Sequence, residues 1–182
     1  MQLLMGYNSF NGYILNKLFD LQLIRENDIR FHADYPACED TMFVGSYLYH
    51  CSRVCVTEEC LYCYRQVSGG ANRGRYSGRK AYDPKCMSVF EMTEYMADLY
   101  KDDAVTAACR LHEVREAGIV LRSMEAAGYH GADHARLKGI LRRGAGLFFR
   151  DENSGRSQKL SVLLSCISTK LELAVWKLRK RK

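Results

Sequence analysis

The sequence contains no run that approaches the roughly 18 consecutive apolar residues needed to span a membrane. It contains no internal repeat and no low-complexity segment, and its start, Met1–Met5, is too short and not basic enough for a secretory leader. We therefore expect a protein kept in the cytoplasm. With 47% hydrophobic and 26% charged residues in 182, the composition excludes a disordered tail, a collagen-like chain and a small disulfide scaffold. The length suits one domain, or one domain and a tail.

Charge and cysteine content are the two unusual features of the composition. The net charge of +6 comes from 27 Lys and Arg against 21 Asp and Glu, and five of the six residues in Lys177–Lys182 are basic. The excess is therefore concentrated in a tail rather than spread over the surface. The eight cysteines are expected to stay reduced in the cytoplasm, which leaves a metal site or buried thiols.

The first half of the chain mixes helical and strand-like patterns. The first 30 residues include apolar side chains at helical spacing, which predicts a first helix. Phe43, Tyr47, Leu48 and Cys51 share one face of a second predicted helix. Two strand-like runs follow, at 53–56 and 61–64. A stretch rich in glycine and arginine at 65–82 predicts a loop.

The second half is predicted to be helical. Asp83-Pro84 marks a helix start, because a capping residue precedes a first-turn proline. A helix carrying Val89, Met92, Met96 and Leu99 follows, and the next helix ends at Gly128. A break around Gly144–Gly155 then separates it from a single predicted helix over Leu160–Lys182.

Four cysteines cluster after the second predicted helix, namely Cys51, Cys55, Cys60 and Cys63, with His50 beside them. Cys60 and Cys63 have the C-x-x-C spacing of a zinc knuckle. Strand-like alternation and the absence of turn residues between the cysteines favour buried thiols instead. The zinc deaminase pattern fails, since His32-Ala33-Asp34 carries the wrong acid and no proline precedes Cys60.

His130 and His134 are four residues apart, as two metal ligands on one helix face would be. The glutamate that follows the first histidine in His-Glu-x-x-His metalloproteases is absent. Gly128 and Gly131 also argue against a continuous helix there. We therefore predict surface histidines and no protein-bound metal at this position.

Four blocks of the first half occur in a distinctive order. They are Asn16-Lys17-Leu18-Phe19, then Ile29-Arg30-Phe31, then Glu39-Asp40 with Phe43, then 61–66 followed by Ser68-Gly69. The order and spacing resemble the C-terminal half of family 2 inverting glycosyltransferases of the GT-A type, which build bacterial cell-surface polysaccharides. One departure is Leu15, where that family usually has tryptophan.

The resemblance implies a fold and a domain organisation. Residues 1–82 would form the acceptor-side half of an α/β GT-A domain with short strands, and residues 83–182 a mainly helical C-terminal region. The implied reaction moves a sugar from a nucleotide-sugar to a glycan or lipid-linked acceptor with inversion.

The resemblance also implies roles for individual residues. Asp40 would be the general base that deprotonates the acceptor hydroxyl, and Glu39 would support it or contact the acceptor. Arg65 and Ser68 match the loop expected to close over the donor diphosphate, where a guanidinium offsets developing charge. Lys17 would approach the same diphosphate or pair with an acid.

The Asp-x-Asp motif of GT-A enzymes, which holds Mg²⁺ or Mn²⁺ on the donor phosphates, does not occur in the chain. No βαβ unit precedes Asn16. We therefore expect the donor-binding half to be missing and the chain to be inactive alone, as a truncated gene product, a cut fragment, one half of a split enzyme or a decayed gene product.

The predicted C-terminal helix is amphipathic, with Trp176 near its basic end. This pattern suits the anionic inner face of a membrane, where each basic residue adds roughly 1 kcal/mol, or a helix packed on the body. Nucleic acid is not an expected partner, because basic residues are not interleaved with aromatics. The alternative function is a non-catalytic module, either zinc-stabilised or bound to a membrane surface.

Overall fold

The computed structural model describes residues 12–32, 35, 38–63, 65 and 82–179. These residues form helices joined by turns and irregular segments, and no strand occurs among them. The expected α/β GT-A fold with short strands is therefore wrong for this part of the chain. The predicted loop at 65–82, apart from its first and last residues, lies outside the described residues.

Both predicted strands fall in an irregular segment that follows a helix. Residues 53–56 and 61–63 have no regular secondary structure, and Tyr64 lies outside the described residues. Val54, Val56 and Leu61 are all exposed. A strand needs a neighbour for its backbone N–H and C=O groups and an apolar face to bury, and the described residues offer neither to these runs.

Contacts divide the chain into two compact units, the first comprising 1–67 and 85–109 and the second 68–84 and 110–182. Helix α1 (Leu21–Glu26) begins where the Asp20 carboxylate accepts hydrogen bonds from the backbone N–H groups of Gln22 and Leu23. Helix α2 is Glu39–His50, in agreement with the sequence prediction. A 3₁₀ turn, Pro84–Met87, leads into helix α3, Ser88–Tyr100.

The first unit is built on the packing of α2 against α1 and α3. Hydrogen bonds reinforce the contact between α2 and α3, since the Tyr100 hydroxyl donates to the Gly45 carbonyl at 2.8 Å and the hydroxyls of Ser46 and Tyr95 lie 2.9 Å apart. The core side chains of these two helices are Met42, Phe43, Val44, Val89, Phe90, Met92 and Met96. The predicted apolar face of α3 is therefore confirmed.

The second unit contains most of helix α4 (Asp103–Ala127) and all of α5 (Ala132–Arg150), α6 (Arg156–Ile167) and α7 (Thr169–Arg179). Helix α4 ends as predicted, because Gly128 adopts a φ of +68°, which a glycine accepts without strain. Helix α6 packs against both α5 and α7. The buried side chains are Val114, Leu121, Met124, Leu137, Leu141, Phe148, Val162 and Leu173.

Two predicted boundaries in this unit are wrong. Helix α5 continues through Gly144 and Gly146 to Arg150, because a glycine costs a helix only about 1 kcal/mol relative to alanine. At Gly144 the missing side chain has a use, since a Cβ there would collide with the side chain of Val114. The predicted single helix over Leu160–Lys182 is instead two helices, interrupted at Ser168, whose backbone is extended.

The interruption at Ser168 changes which side chains face the core. Thr169 and Glu172 are buried, whereas large apolar side chains of the predicted amphipathic face remain exposed, namely Leu163, Ile167, Leu171 and Leu178. No helix in the described part of the chain is long and apolar enough to cross a membrane.

Candidate functional site

The predicted catalytic pair, Glu39 and Asp40, lies in the first turn of α2, and both side chains are half-buried. Cys38, the N-cap residue, makes no side-chain hydrogen bond to the helix. Acidic side chains at this position interact favourably with the partial positive charge of the helix N-terminus. The pair therefore stabilises α2 and at the same time places two half-buried carboxylates in its first turn.

The segment that carries Lys17 runs past this end of the helix. Gly12 approaches α2 so closely that a Cβ there would collide with the side chain of Thr41. The Lys17 ammonium donates hydrogen bonds to the Tyr13 carbonyl at 2.6 Å and to Asn16 Oδ1 at 2.7 Å. Burial lowers the pKa of Lys17, while the negative charge of Asp40 acts in the opposite direction. Lys17 is therefore within electrostatic reach of Asp40.

An aromatic cluster packs around Phe43, about one turn along α2 from Glu39 and Asp40. The Phe31 ring stacks on the Phe43 ring with centroids 4.5 Å apart, and Phe19 meets the edges of Phe43 and Tyr47 at 5.4 and 4.9 Å. The Tyr47 hydroxyl accepts a hydrogen bond from the backbone N–H of Asp20 at 2.8 Å. Three of the four ordered sequence blocks, those of Phe19, Phe31 and Phe43, therefore meet in one place.

The two remaining residues of the predicted site are Arg65 and Ser68. Arg65 is exposed in an irregular part of the chain, and Ser68 lies outside the described residues. The predicted burial of the clustered cysteines is wrong, since Cys51 is half-buried and Cys55, Cys60 and Cys63 are exposed. Without a sheet, the alternation that suggested burial has no apolar layer to face.

The described residues contain one group of three side chains placed to share a metal ion, and it is not made of cysteines. Glu125, His130 and His134 have ligand atoms that all lie within 4.8 Å of one another. Glu125 is in the last turn of α4, His130 in the connection that follows and His134 in the first turn of α5. The sequence pattern missed this group because the carboxylate comes from the preceding helix.

The histidines of this group differ in environment. His130 is exposed, and His134 is half-buried with its Nε2 inaccessible and without a hydrogen-bond partner. Burial lowers the pKa of His134, and the charges of Lys138 and His130 act in the same direction while that of Glu125 opposes them. The prediction of two surface histidines therefore holds for His130 only.

A cavity of about 350 Å³ lies between α4, α6 and α7 in the second unit. Its wall includes a buried ion pair, in which Arg122 donates to Glu172 Oε1 at 2.8 Å, and the indole of Trp176. Ser161 also donates to Glu172 Oε1, at 2.6 Å. The positive charge of the cavity wall comes from Arg115 and Arg179 as well as Arg122.

No known protein family, no curated protein and no solved structure matches the chain. The resemblance to family 2 glycosyltransferases therefore rests on the ordered sequence blocks. The function has to be argued from the chemistry of the residues that the structure brings together.

Proposed function

We propose that the chain provides the acceptor side of an inverting sugar transfer for cell-surface polysaccharide synthesis, with Asp40 as the general base. The single observation that carries this proposal is the meeting of three ordered sequence blocks around the start of α2. Lys17, the Glu39–Asp40 pair and the ring of Phe31 occupy one region of the first unit. The proposal concerns this site and does not require a GT-A sheet.

The proposed chemistry assigns one proton transfer to Asp40. Its carboxylate accepts the proton of an acceptor hydroxyl while the oxygen attacks the anomeric carbon of the donor sugar. A new glycosidic C–O bond forms, and the bond to the nucleoside diphosphate breaks on the opposite face, which inverts the anomeric carbon. The charge of Asp40 acts on the Lys17 ammonium, which is therefore within electrostatic reach of the proposed base. Glu39, beside it, contacts the acceptor or supports Asp40.

The half-exposed ring of Phe31 supports an acceptor-binding role. It is 53% exposed although it stacks on the buried Phe43. A sugar ring has an apolar face of C–H groups, and burying that face on an aromatic ring removes apolar surface from water. Phe31 therefore offers a surface for an acceptor sugar next to Phe43, which lies about one turn along α2 from Asp40.

The divalent cation of complete family 2 enzymes does not fit the residues present. The chain has no Asp-x-Asp, and the described part of the chain gathers three metal-ligating side chains only at Glu125, His130 and His134. No step of the proposed transfer therefore runs through a cation bound at Asp40. The nucleotide-sugar remains the proposed donor, with Arg65 and Ser68 as proposed diphosphate contacts.

Carbohydrate binding by the full chain tests the proposal. Oligosaccharides are titrated into isotopically labelled protein, and backbone NMR shifts are expected around Phe31 and Asp40. Phe31→Ala should weaken binding at least about tenfold, since the variant loses the aromatic ring on which the sugar is proposed to stack. Asp28→Asn is the matched control, because Asp28 is exposed and has a φ of +46°, which asparagine tolerates equally well. If no oligosaccharide shifts these signals, the proposal is wrong.

A turnover assay tests the role of Asp40 separately. In a complete version of the enzyme that includes the donor-binding half, with acceptor and nucleotide-sugar present, Asp40→Asn should reduce nucleoside diphosphate release by about 100-fold or more. The same substitution should leave acceptor affinity nearly unchanged, because the amide keeps the shape of the carboxylate. Turnover that survives Asp40→Asn would assign the proton transfer elsewhere.

A membrane-surface role is the second proposed property. It is favoured by the exposed apolar side chains on α6 and α7 together with the basic Lys170, Lys177 and Arg179. Apolar and basic side chains on neighbouring helices are typical of surfaces that bind the anionic inner face of a membrane. Such a surface would hold the chain near a lipid-linked acceptor, and it would serve a non-catalytic membrane-surface module equally well.

A further inference from the structure

The group formed by Glu125, His130 and His134 has the composition of a zinc site. Zn²⁺ binds imidazole nitrogen and carboxylate oxygen at about 2.0–2.2 Å, and two histidines with one glutamate form one of its recurrent three-ligand sets. In a tetrahedral site at those bond lengths the ligand atoms lie about 3.3 Å apart. The ligand atoms of the three side chains all lie within 4.8 Å of one another. Small side-chain rotations would bring them to the separation that Zn²⁺ requires.

The three side chains are close together but do not bond to one another. The structure has no hydrogen bond or ion pair among them in the part of the chain that it describes. His134 Nε2 is inaccessible to solvent and has no partner at all. A buried nitrogen without a partner is costly, and a shared cation would satisfy it. This is the independent observation that points to a ligand.

A neighbouring helix fixes the carboxylate. The Thr169 hydroxyl, buried at the start of α7, donates a hydrogen bond to Glu125 Oε2 at 2.7 Å. Oε1 is then left to coordinate a cation, and the hydrogen bond holds the carboxylate plane in place. Hydrogen bonds of this kind orient the side chains that coordinate a metal and raise the affinity of the site for it.

We propose that Glu125, His130 and His134 bind one Zn²⁺ and leave its fourth position to water. The ion joins the end of α4, the connection through Gly128 and the start of α5. The exposure of His130 provides both a route for the metal and room for the bound water. The site lies within the second unit and is independent of the proposed sugar transfer.

Imidazole NMR of the reduced full chain tests this site. The chain has five histidines, so their side-chain nitrogen signals can be followed individually as Zn²⁺ is added. One equivalent should shift the signals of His130 and His134 and leave those of His50 and His112 in place. Free cysteines also bind Zn²⁺, but thiolate binding does not move these two imidazoles together.

Two variants assign the ligands. His130→Ala and Glu125→Gln should each weaken the Zn²⁺ affinity reported by His134 at least about tenfold. His130 is exposed, so its replacement leaves the fold intact, and circular dichroism confirms this. His50→Ala, at the exposed end of α2, is the matched control and should have no effect. The proposal is overturned if neither imidazole shifts, if all five shift alike, or if His130→Ala leaves the His134 response unchanged.

Discussion

The Arg122 guanidinium donates a hydrogen bond to the Glu172 carboxylate at 2.8 Å, and this pair joins α4 to α7 inside the second unit. The two side chains are only 10% and 3% exposed. The same guanidinium lies 4.9 Å from the centre of the Trp176 ring. Each charge therefore depends on the other, because either one alone would be left in a poorly hydrated place.

Replacing one member of this pair should destabilise the protein far more than replacing both. Arg122→Met should lower the free energy of unfolding by about 3–5 kcal/mol, since Glu172 would remain as a buried unpaired charge. The double variant with Glu172→Met should recover at least about 2 kcal/mol of that loss. Urea denaturation measures both values. Arg110→Met, on an exposed arginine of α4, is the control, and equal losses in single and double variants would contradict this account.

Two glycines of α5 should respond to alanine with opposite signs. At Gly144 a Cβ collides with the stiff, buried side chain of Val114, so Gly144→Ala should destabilise the protein by about 1–3 kcal/mol. At Gly146 a Cβ would point into open space, so Gly146→Ala should stabilise the protein by about 0.5–1 kcal/mol.

A compensating change checks the cause of the Gly144 effect. Val114→Ala removes the colliding methyl group, so it should cost less stability in the Gly144→Ala background than in the wild type. Thermal unfolding of the four proteins gives the coupling free energy. Additive losses would show that the contact with Val114 does not set the requirement for glycine.

Acid should weaken the connection between α5 and α6. Burial raises the pKa of Asp151, but hydrogen bonds from Ser154, at 2.6 Å, and from Asn153 outweigh it and hold the pKa below 3.8. A folded-state pKa below the unfolded value contributes stability that is present above pH 3.8 and lost as the pH falls through the folded pKa.

Asp151→Asn tests this contribution. The variant should lose about 1 kcal/mol at neutral pH, because the charged acceptor of three hydrogen bonds is replaced by a neutral one. The difference between wild type and variant should shrink as the pH falls below about 4. Glu152→Gln, on the exposed neighbouring residue, is the control. A difference that stays constant down to acid denaturation would exclude Asp151 as its source.

Vesicle binding tests the surface of α6 and α7. The chain should sediment with vesicles that contain phosphatidylserine and not with pure phosphatidylcholine. Lys170→Glu combined with Lys177→Glu should reduce binding at least about tenfold, since each lost basic charge removes roughly 1 kcal/mol. Arg25→Glu combined with Arg53→Glu is the charge-matched control, because both arginines are exposed and belong to the first unit. Equal binding to both vesicle types would remove the electrostatic basis of the proposal.

Local signals in the sequence sufficed for several helices. Apolar spacing identified α2 and α3, and Gly128 ended α4 because its positive φ stops a helix without strain. The strand-like runs at 53–56 and 61–64 were misleading, since alternation describes a strand only where a sheet exists to receive it. Whether partner strands form is decided by the rest of the chain.

The second unit depended on interactions that a linear pattern does not contain. Glu172 is a charged residue that a periodicity argument places on the surface, yet it is buried because Arg122 and Ser161 reach it. The interruption at Ser168 turns α7 so that this contact forms. Likewise, the spacing of His130 and His134 gives no sign of Glu125, which the fold places beside them from the end of the preceding helix. At the proposed sugar site, the sequence left open whether Lys17 approaches the diphosphate or pairs with an acid, and the fold places it within electrostatic reach of Asp40.

The three exposed thiols after α2 have a consequence for the sample itself. Cys55, Cys60 and Cys63 are exposed, so peroxide or another thiol can reach their sulfur atoms. In aerated buffer they should form mixed and intermolecular disulfides, so that gel filtration reports covalent aggregates. Any mass or stoichiometry measured for this protein will therefore depend on the reductant present, and the buried Cys86 and Cys109 will stay unmodified until the chain unfolds.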